Sequence, residues 1–252
     1  MKIFATVALL SLALCAGAQH PNFPGPVSHA FITPGLSFTG AAFDVSQSFP
    51  MLAGPSGGTT FVQSGGKFYF EFNGTNQMLF GSTNNFAAET TNGTIMARVY
   101  LTRNTSTAFR VFASGDNAGV NIFGVLQISS GQPLWDIRGT SIDESFYAGT
   151  GTAMVSGRWY TVGFDTDGWN GQLSVDGEDI PQSTNNAALS SAGRWFSHAA
   201  GADHIAIGNL KRSTDVYSPG RVSSFFIWNR RLSQEEKRAV HSILSVQGNA
   251  FP

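Results

Sequence analysis

From Leu36 onward, apolar side chains recur at every second position in short runs, and each run stops at a cluster of Gly, Asn, Asp, Ser or Pro. A period of two is the signature of a strand with one face buried, whereas a helix repeats every 3.6 residues. Phe68, Phe70 and Phe72 therefore share one face, Tyr69 and Glu71 the other, and Asn73-Gly74 supplies the residues of a tight hairpin turn. The same reading predicts strands over 96–101, 109–113, 120–128, 159–164, 172–175, 204–207 and 222–228, with Asp165-Thr166-Asp167-Gly168 and Asp176-Gly177 as hairpin turns. One helix stands out: Ser233 and Glu236 form a capping box, and Ala239, Val240, Ile243 and Leu244 make a stripe at helical spacing that ends near Gly248. The pattern is that of an all-β, two-sheet antiparallel β-sandwich with one short C-terminal helix. With no internal repeat or second linker in the 252 residues, it implies a single domain over 36–252.

The N-terminus reads differently. Lys2 is followed by an apolar run to Cys15 and then Ala16-Gly17-Ala18, the pattern of a secretory signal peptide over 1–18, with the mature chain starting at Gln19. The run is shorter than the roughly 20 residues that span a bilayer, and no later stretch is continuously apolar, so the expectation is a secreted, extracellular protein without a transmembrane segment. Cleavage removes the single cysteine and leaves 14 basic and 16 acidic side chains, a net charge of −2. A chain of this size can bury enough surface to fold without disulfides. Residues 19–35 contain Pro21, Pro24, Pro26 and Pro34 and read as an extended lead-in ahead of the domain. Asn73, Asn92 and Asn104 each open an N-x-S/T triplet free of proline and are N-glycosylation candidates in a eukaryotic secretory route. No basic run is longer than the two residues of Arg230-Arg231, which leaves no electrostatic footprint for nucleic acid.

The segments Tyr69 to Gly74, Gly157 to Val162, Leu173 to Gly177, His204 to Gly208 and Gly220 to Glu236 stand, in that order, in an arrangement that resembles the laminin G-like, concanavalin A-like lectin/glucanase jelly rolls. Tyr69-Phe70-Glu71-Phe72-Asn73-Gly74 is similar to the family's early strand, and Gly157-Arg158-Trp159-Tyr160-Thr161-Val162 to its tryptophan-bearing strand. Leu173-Ser174-Val175-Asp176-Gly177 resembles its L-x-V-D-G hairpin, and His204-Ile205-Ala206-Ile207-Gly208 its I-x-I-G segment. The run from Gly220 through Trp228-Asn229-Arg230-Arg231-Leu232-Ser233 to Glu236 is similar to the closing signature, with Ser223 or Ser224 standing where the family often carries Asp. The resemblance implies two facing antiparallel sheets and a history of binding glycans or matrix proteins, and it leaves function to the site.

Catalytic chemistry has no visible constellation. Glycosidases on this fold use paired carboxylates on one strand face, typically E-x-D-x-E, and that spacing is absent. Asp143-Glu144 lies in an apparent loop, and Glu235-Glu236 sits at the helix start, where carboxylates meet the helix dipole favourably. His29, His198, His204 and His241 are scattered and do not reproduce a lyase motif; no G-x-S-x-G elbow occurs, and Gly54-Pro55-Ser56-Gly57-Gly58 lacks the rest of a phosphate loop.

Binding chemistry has candidates. Asp165 and Asp167, in Asp165-Thr166-Asp167-Gly168-Trp169-Asn170, alternate hard oxygen ligands and are the candidate metal ligands, with calcium as the ion and no cofactor required; the same D-x-D-G is also ordinary turn chemistry. Trp169 and Trp195 fall in loops and are candidates for stacking on a sugar, with Asn170 as a hydrogen-bonding partner, whereas Trp159 and Trp228 fall within strands and read as core. The leading expectation is a secreted, non-catalytic lectin-like domain that binds a glycan or a glycosylated extracellular partner through rim loops. The alternatives are a structural, self-associating matrix or coat protein, and a divergent glycosidase or polysaccharide lyase.

Overall fold

The structure, a computed structural model, describes residues 24, 29–32, 42–43, 50–53, 59–64, 67–82, 91–102, 108–116, 118, 122–139, 144–151, 153–185, 195–196, 199, 201–210 and 216–247. In chain order the strands are β1 (His29–Ile32), β2 (Ala42–Phe43), β3 (Pro50–Ala53), β4 (Thr60–Ser64), β5 (Lys67–Asn73), β6 (Leu79–Ser82), β7 (Gly93–Tyr100), β8 (Phe109–Gly115), β9 (Phe123–Ser129) and β10 (Gln132–Arg138). They continue with β11 (Glu144–Gly149), β12 (Trp159–Thr166), β13 (Gly171–Val175), β14 (Glu178–Asp179), β15 (Gln182–Asn185), β16 (His204–Ile207), β17 (Asn209–Leu210), β18 (Val216–Tyr217) and β19 (Pro219–Trp228), followed by helix α1 (Gln234–Gln247). Among the described residues, one large sheet runs β14-β13-β12-β7-β19-β5-β4, with β1 also paired to β19, the other runs β15-β11-β10-β9-β8-β16-β6-β3-β2, and β17 and β18 form a separate two-stranded sheet. Both large sheets are antiparallel.

The inner faces meet in one core. Ile95, Ala97, Val99, Val162, Phe164, Phe225 and Ile227 from the first sheet pack against Phe112, Leu126, Trp135, Ile137 and Tyr147 from the second. Trp135 stacks on Phe164 at 4.6 Å and 7°, an offset arrangement that aromatic rings favour. Phe70 and Phe72 join this core while Glu71 stays on the outer face, so the alternation holds. The outer face of the first sheet is buried as well where α1 lies over it: Met96, Phe226 and Trp228 pack against Leu232, Val240 and Leu244. Strand β7 is covered on both sides, which is why its sequence runs apolar almost continuously.

Helix α1 starts as its capping box dictates: Ser233 N donates to Glu236 Oε2 at 2.9 Å and Glu236 N to Ser233 Oγ at 3.2 Å. The expected end at Gly248 lies outside the described residues. Asp176 and Gly177 join β13 to β14 with φ of +53° and +85°, the consecutive left-handed pair of a type I′ hairpin.

Three expectations need correction. The Asn73-Gly74 turn does not close a hairpin, because β5 pairs with β4 and β19 whereas β6 pairs in the opposite sheet; the turn carries the chain across the sandwich. The proline-rich lead-in is not outside the domain: β1 pairs with β19 from His29 opposite Ile227 to Ile32 opposite Ser224, and Trp228 Nε1 donates to the Pro24 carbonyl at 2.9 Å. The four residues of β1 contain no proline and are free to pair. Asp143-Glu144 is not wholly loop, since Glu144 opens β11.

Candidate functional site

The ladder between β12 and β13 ends at Thr166 opposite Gly171, and residues 167–170 form the turn at that end of the sandwich. Asp167 organises it: its Oδ1 accepts the backbone N–H groups of Trp169 at 2.8 Å and Asn170 at 2.7 Å, an Asx turn. Gly168 sits at φ +96°, a conformation an L side chain resists. Trp169 projects from this braced tip with 64% of its surface exposed, and Asn170 beside it is exposed too. Val155 and Trp169 are the exposed large hydrophobic side chains among the described residues, and of the two only Trp169 offers a ring face.

The turn is anchored to the helix by charge. Arg231, just before α1, reaches Asp167 Oδ2 at 3.3 Å through Nη1 and Asp165 Oδ1 at 2.5 Å through Nε. Lys237 Nζ donates to Asp165 Oδ2 at 2.7 Å, and a second, partly exposed partner is Asp179. Asp165 is fully buried and the Lys237 side chain is 2% exposed, so this ion pair lies inside the seam between α1 and the sheet. Burial pushes the Asp165 carboxyl above its ordinary value, and Lys237 and Arg231 offset that only in part. Asp167 shifts the other way: slight burial pushes it up, but the Asn170 and Trp169 amides, with Arg231, hold it below the ordinary carboxylate range.

Calcium ligation by Asp165 and Asp167 therefore does not fit this geometry. Both Asp165 oxygens face protein cations, Asp167 is taken up by backbone amides and Arg231, and a divalent ion would have to displace them. Among the described residues no group of three or more His, Cys, Asp or Glu side chains could hold a metal ion.

Trp195 is not open to stack on a sugar. It is 2% exposed, stacks on Trp135 at 5.8 Å and 20°, and meets Phe196 edge-on at 4.8 Å. Its ring lies under Gly93, where a Cβ would come within 2.4 Å of it, so β7 can pass only because Gly93 has no side chain. Trp195 plugs the end of the sandwich and is closed to ligands. Trp228 is fully buried beneath α1, as expected of a strand tryptophan, whereas Trp159 is half-buried.

The glycosylation candidates fall in three settings. Asn73 is exposed, with Oδ1 accepting from Thr75 N and Asn76 N and Nδ2 donating to Asn76 Oδ1 at 2.8 Å. Asn92 is half-buried immediately before β7, and Asn104 lies outside the described residues.

A second polar cluster lies further along the same seam. Arg98, on β7, donates to Thr161 Oγ1 at 3.2 Å and lies 3.7 Å from Asp176, which also accepts the Thr161 N–H. His241 Nδ1, on α1, is 3.0 Å from the Thr161 hydroxyl and 3.5 Å from Asp176. Burial pushes the His241 imidazole below its ordinary value; Asp176 opposes the shift and Arg98 adds to it. His204, by contrast, is buried on β16 in the other sheet against Asp203, so these two histidines do not converge.

Of the two cations at this site, Arg231 carries no signal of its own in the sequence, whereas Lys237 does. Lys237 precedes Val240 by three residues and Leu244 by seven, which places it on the apolar stripe of α1. A lysine on a buried stripe signals a buried acid opposite.

Comparison with known proteins agrees with this architecture. Residues 82–236 match the Laminin G 3 family model, described as the concanavalin A-like lectin/glucanases superfamily. No curated protein matches the chain by sequence. Among solved structures, the binding domain of botulinum neurotoxin serotype G superposes with a TM-score of 0.62 at 13% identity, covering 87% of this chain and 51% of that one. The serotype D ligand-binding domain in complex with N-acetylneuraminic acid gives 0.60 at 14% identity, over 86% of this chain and 50% of that one. A sialidase of Trypanosoma rangeli, in complex with the inhibitor DANA, gives 0.62 at 14% identity over 98% of this chain and 38% of that one. The chain thus spans about half the length of the toxin domains and less of the sialidase; at these identities the likeness is one of fold.

Proposed function

Because the chain belongs to the concanavalin A-like lectin/glucanases superfamily, we propose that it is a secreted, non-catalytic lectin-like domain that binds a glycan or glycosylated extracellular partner at the β12–β13 rim. The observation that carries this reading is Trp169, 64% exposed on a turn that Asp167 and Arg231 hold in one geometry. A sugar ring has an apolar face that stacks on an indole and polar edges that seek amides, and Asn170 adjoins the ring. A prebraced turn loses little freedom on binding, which favours a weak ligand contact. The neighbouring structures include one neurotoxin binding domain in complex with N-acetylneuraminic acid and another in complex with rat synaptotagmin II, which is consistent with a binding role for the fold. Calcium has no part in this reading, since Asp165 and Asp167 already have cationic or amide partners.

The test is a glycan and matrix-protein array probed with the mature chain, Gln19 onward, beside Trp169→Ala, each with calcium and with chelator. Selective glycan binding that survives chelator and is lost at least tenfold in Trp169→Ala is the expected result. Binding to no glycan, or equal binding by the variant, overturns the reading.

A further inference from the structure

The β7–β12 ladder closes with Gly93 opposite Thr166, so the residue just beyond it, Asn92, stands beside the turn that carries Trp169. The contact is close: a Cβ on Gly168 would lie 3.4 Å from the Thr91 carbonyl. Asn92-Gly93-Thr94 is an N-glycosylation triplet. Resting on the reading of Trp169 as the ligand contact, we propose that an N-glycan on Asn92 folds back onto Trp169 and competes there with external glycans, so that occupancy of one sequon sets the domain's apparent affinity.

Three observations converge on this. First, Asn92 is not fully buried and lies one position beyond the Gly93–Thr166 pair, on the side of Asp167 and two residues from Trp169; opposed residues are about 5 Å apart, so the first sugars on an Asn92 amide reach this turn. Second, Trp169 is the one exposed large aromatic among the described residues, and among them it is the stacking platform open to a sugar tethered at this rim. Third, the Thr94 hydroxyl of the triplet is consumed by folding: its Oγ1 donates to the Arg230 carbonyl and accepts the Leu232 N–H, both at 2.9 Å. Attachment therefore precedes the docking of the β19–α1 connection. In that step an oligosaccharide moves from a lipid-linked diphosphate donor to Asn92 Nδ2; the sugar C1–N bond forms, the C1–O bond to the diphosphate breaks and the amide gives up one proton. Once the chain is folded, the tethered glycan has an effective concentration in the millimolar range at the Trp169 ring, comparable with what weak single-ring sugar contacts require.

The test uses the full chain secreted from a eukaryotic host, with Asn73→Gln and Asn104→Gln so that Asn92 alone can carry a glycan. Mass spectrometry reads occupancy, and acrylamide quenching reads the ring. The quenching fraction due to Trp169 is the part that vanishes in Trp169→Phe. The expected result is an occupied Asn92, a Trp169 fraction shielded at least twofold until the glycan is removed enzymatically, and glycan-array affinity that rises roughly three- to tenfold on that removal or in Asn92→Gln. An unoccupied Asn92, or equal quenching before and after glycan removal, overturns the proposal. Equal array affinity with and without the Asn92 glycan overturns the competition even if Trp169→Ala shows that the rim binds. Absence of all array binding sinks the lectin reading and the competition with it, while the quenching arm still decides whether the glycan lies on Trp169.

Discussion

Removing the Lys237 ammonium is the sharpest test of how the helix is held. In Lys237→Met the aliphatic stem is kept and the fully buried Asp165 carboxylate is left facing Arg231 alone, whose side chain is 38% exposed. Breaking one half of a buried ion pair costs about 3 to 5 kcal/mol, and the surviving Arg231 contact places this case near about 3. For a chain of this size that corresponds to a fall of about 6 to 12 °C in Tm. Loss of the Asp179 contact adds little, because that carboxylate is 41% exposed. The sign with pH follows from the Asp165 carboxyl, already raised from 3.8 and raised further without Lys237. Its ionised form is disfavoured in the fold, so the penalty is full above the folded pKa and shrinks as pH falls toward 3.8. Replacing both partners, as in Asp165→Leu with Lys237→Met, leaves no buried charge and recovers most of the loss, with a coupling of about 1 to 3 kcal/mol. Urea unfolding followed by tryptophan fluorescence at pH 5 and pH 8 measures all four members of the cycle. A single-variant cost under about 1 kcal/mol at pH 8, or a double variant worse than either single, refutes the buried-pair reasoning.

Other parts of the molecule give equally definite expectations. The His241 imidazole, held below its ordinary 6.5, contributes stability that is complete above pH 6.5 and lost as pH falls through the folded value. Thermal unfolding should therefore show a stability loss between pH 7 and pH 5 that His241→Gln reduces. Trp195→Ala opens the sandwich end beside Trp135 and Phe196 and should cost about 3 to 5 kcal/mol by denaturant titration. Trp169→Ala should leave that midpoint unchanged. Gly177→Ala forces a side chain onto φ +85° with its Cβ 2.9 Å from the Arg238 Cα, and should cost about 2 kcal/mol or more in the same titration.

The fold was legible because its signals are local. The Phe68-Phe70-Phe72 alternation, the Asp176-Gly177 pair and the Ser233-Glu236 box each state their geometry within a few residues, and each forms the element expected of it except where pairing partners are distant. Asn73-Gly74 has the right chemistry for a turn, but whether a turn returns to the same sheet is decided by strands elsewhere in the chain. The site was less legible for the same reason. Nothing near Asp165 announces that its charge is answered by Lys237, 72 residues later, and the loop position of Trp195 hides the inward turn that buries it beneath Gly93. Trp169 and Asp167 were readable because their turn is closed by its own backbone.

Strand β19 lies between β7 and β5 and also pairs with β1, although it follows them in sequence by more than a hundred residues. On a ribosome this sheet cannot be assembled in order of synthesis. At about 5 to 20 residues per second, β7 waits on the order of 6 to 25 s for the strand that lies along its second edge. Throughout that interval the hydrogen-bonding edges of β7 and β5 that meet β19 have no partner, and Thr94 remains solvated rather than bonded to the Arg230 carbonyl. Unpaired edges in that window carry the general risk of misassembly during synthesis, and the same window is when enzymes acting on unfolded segments reach the rim.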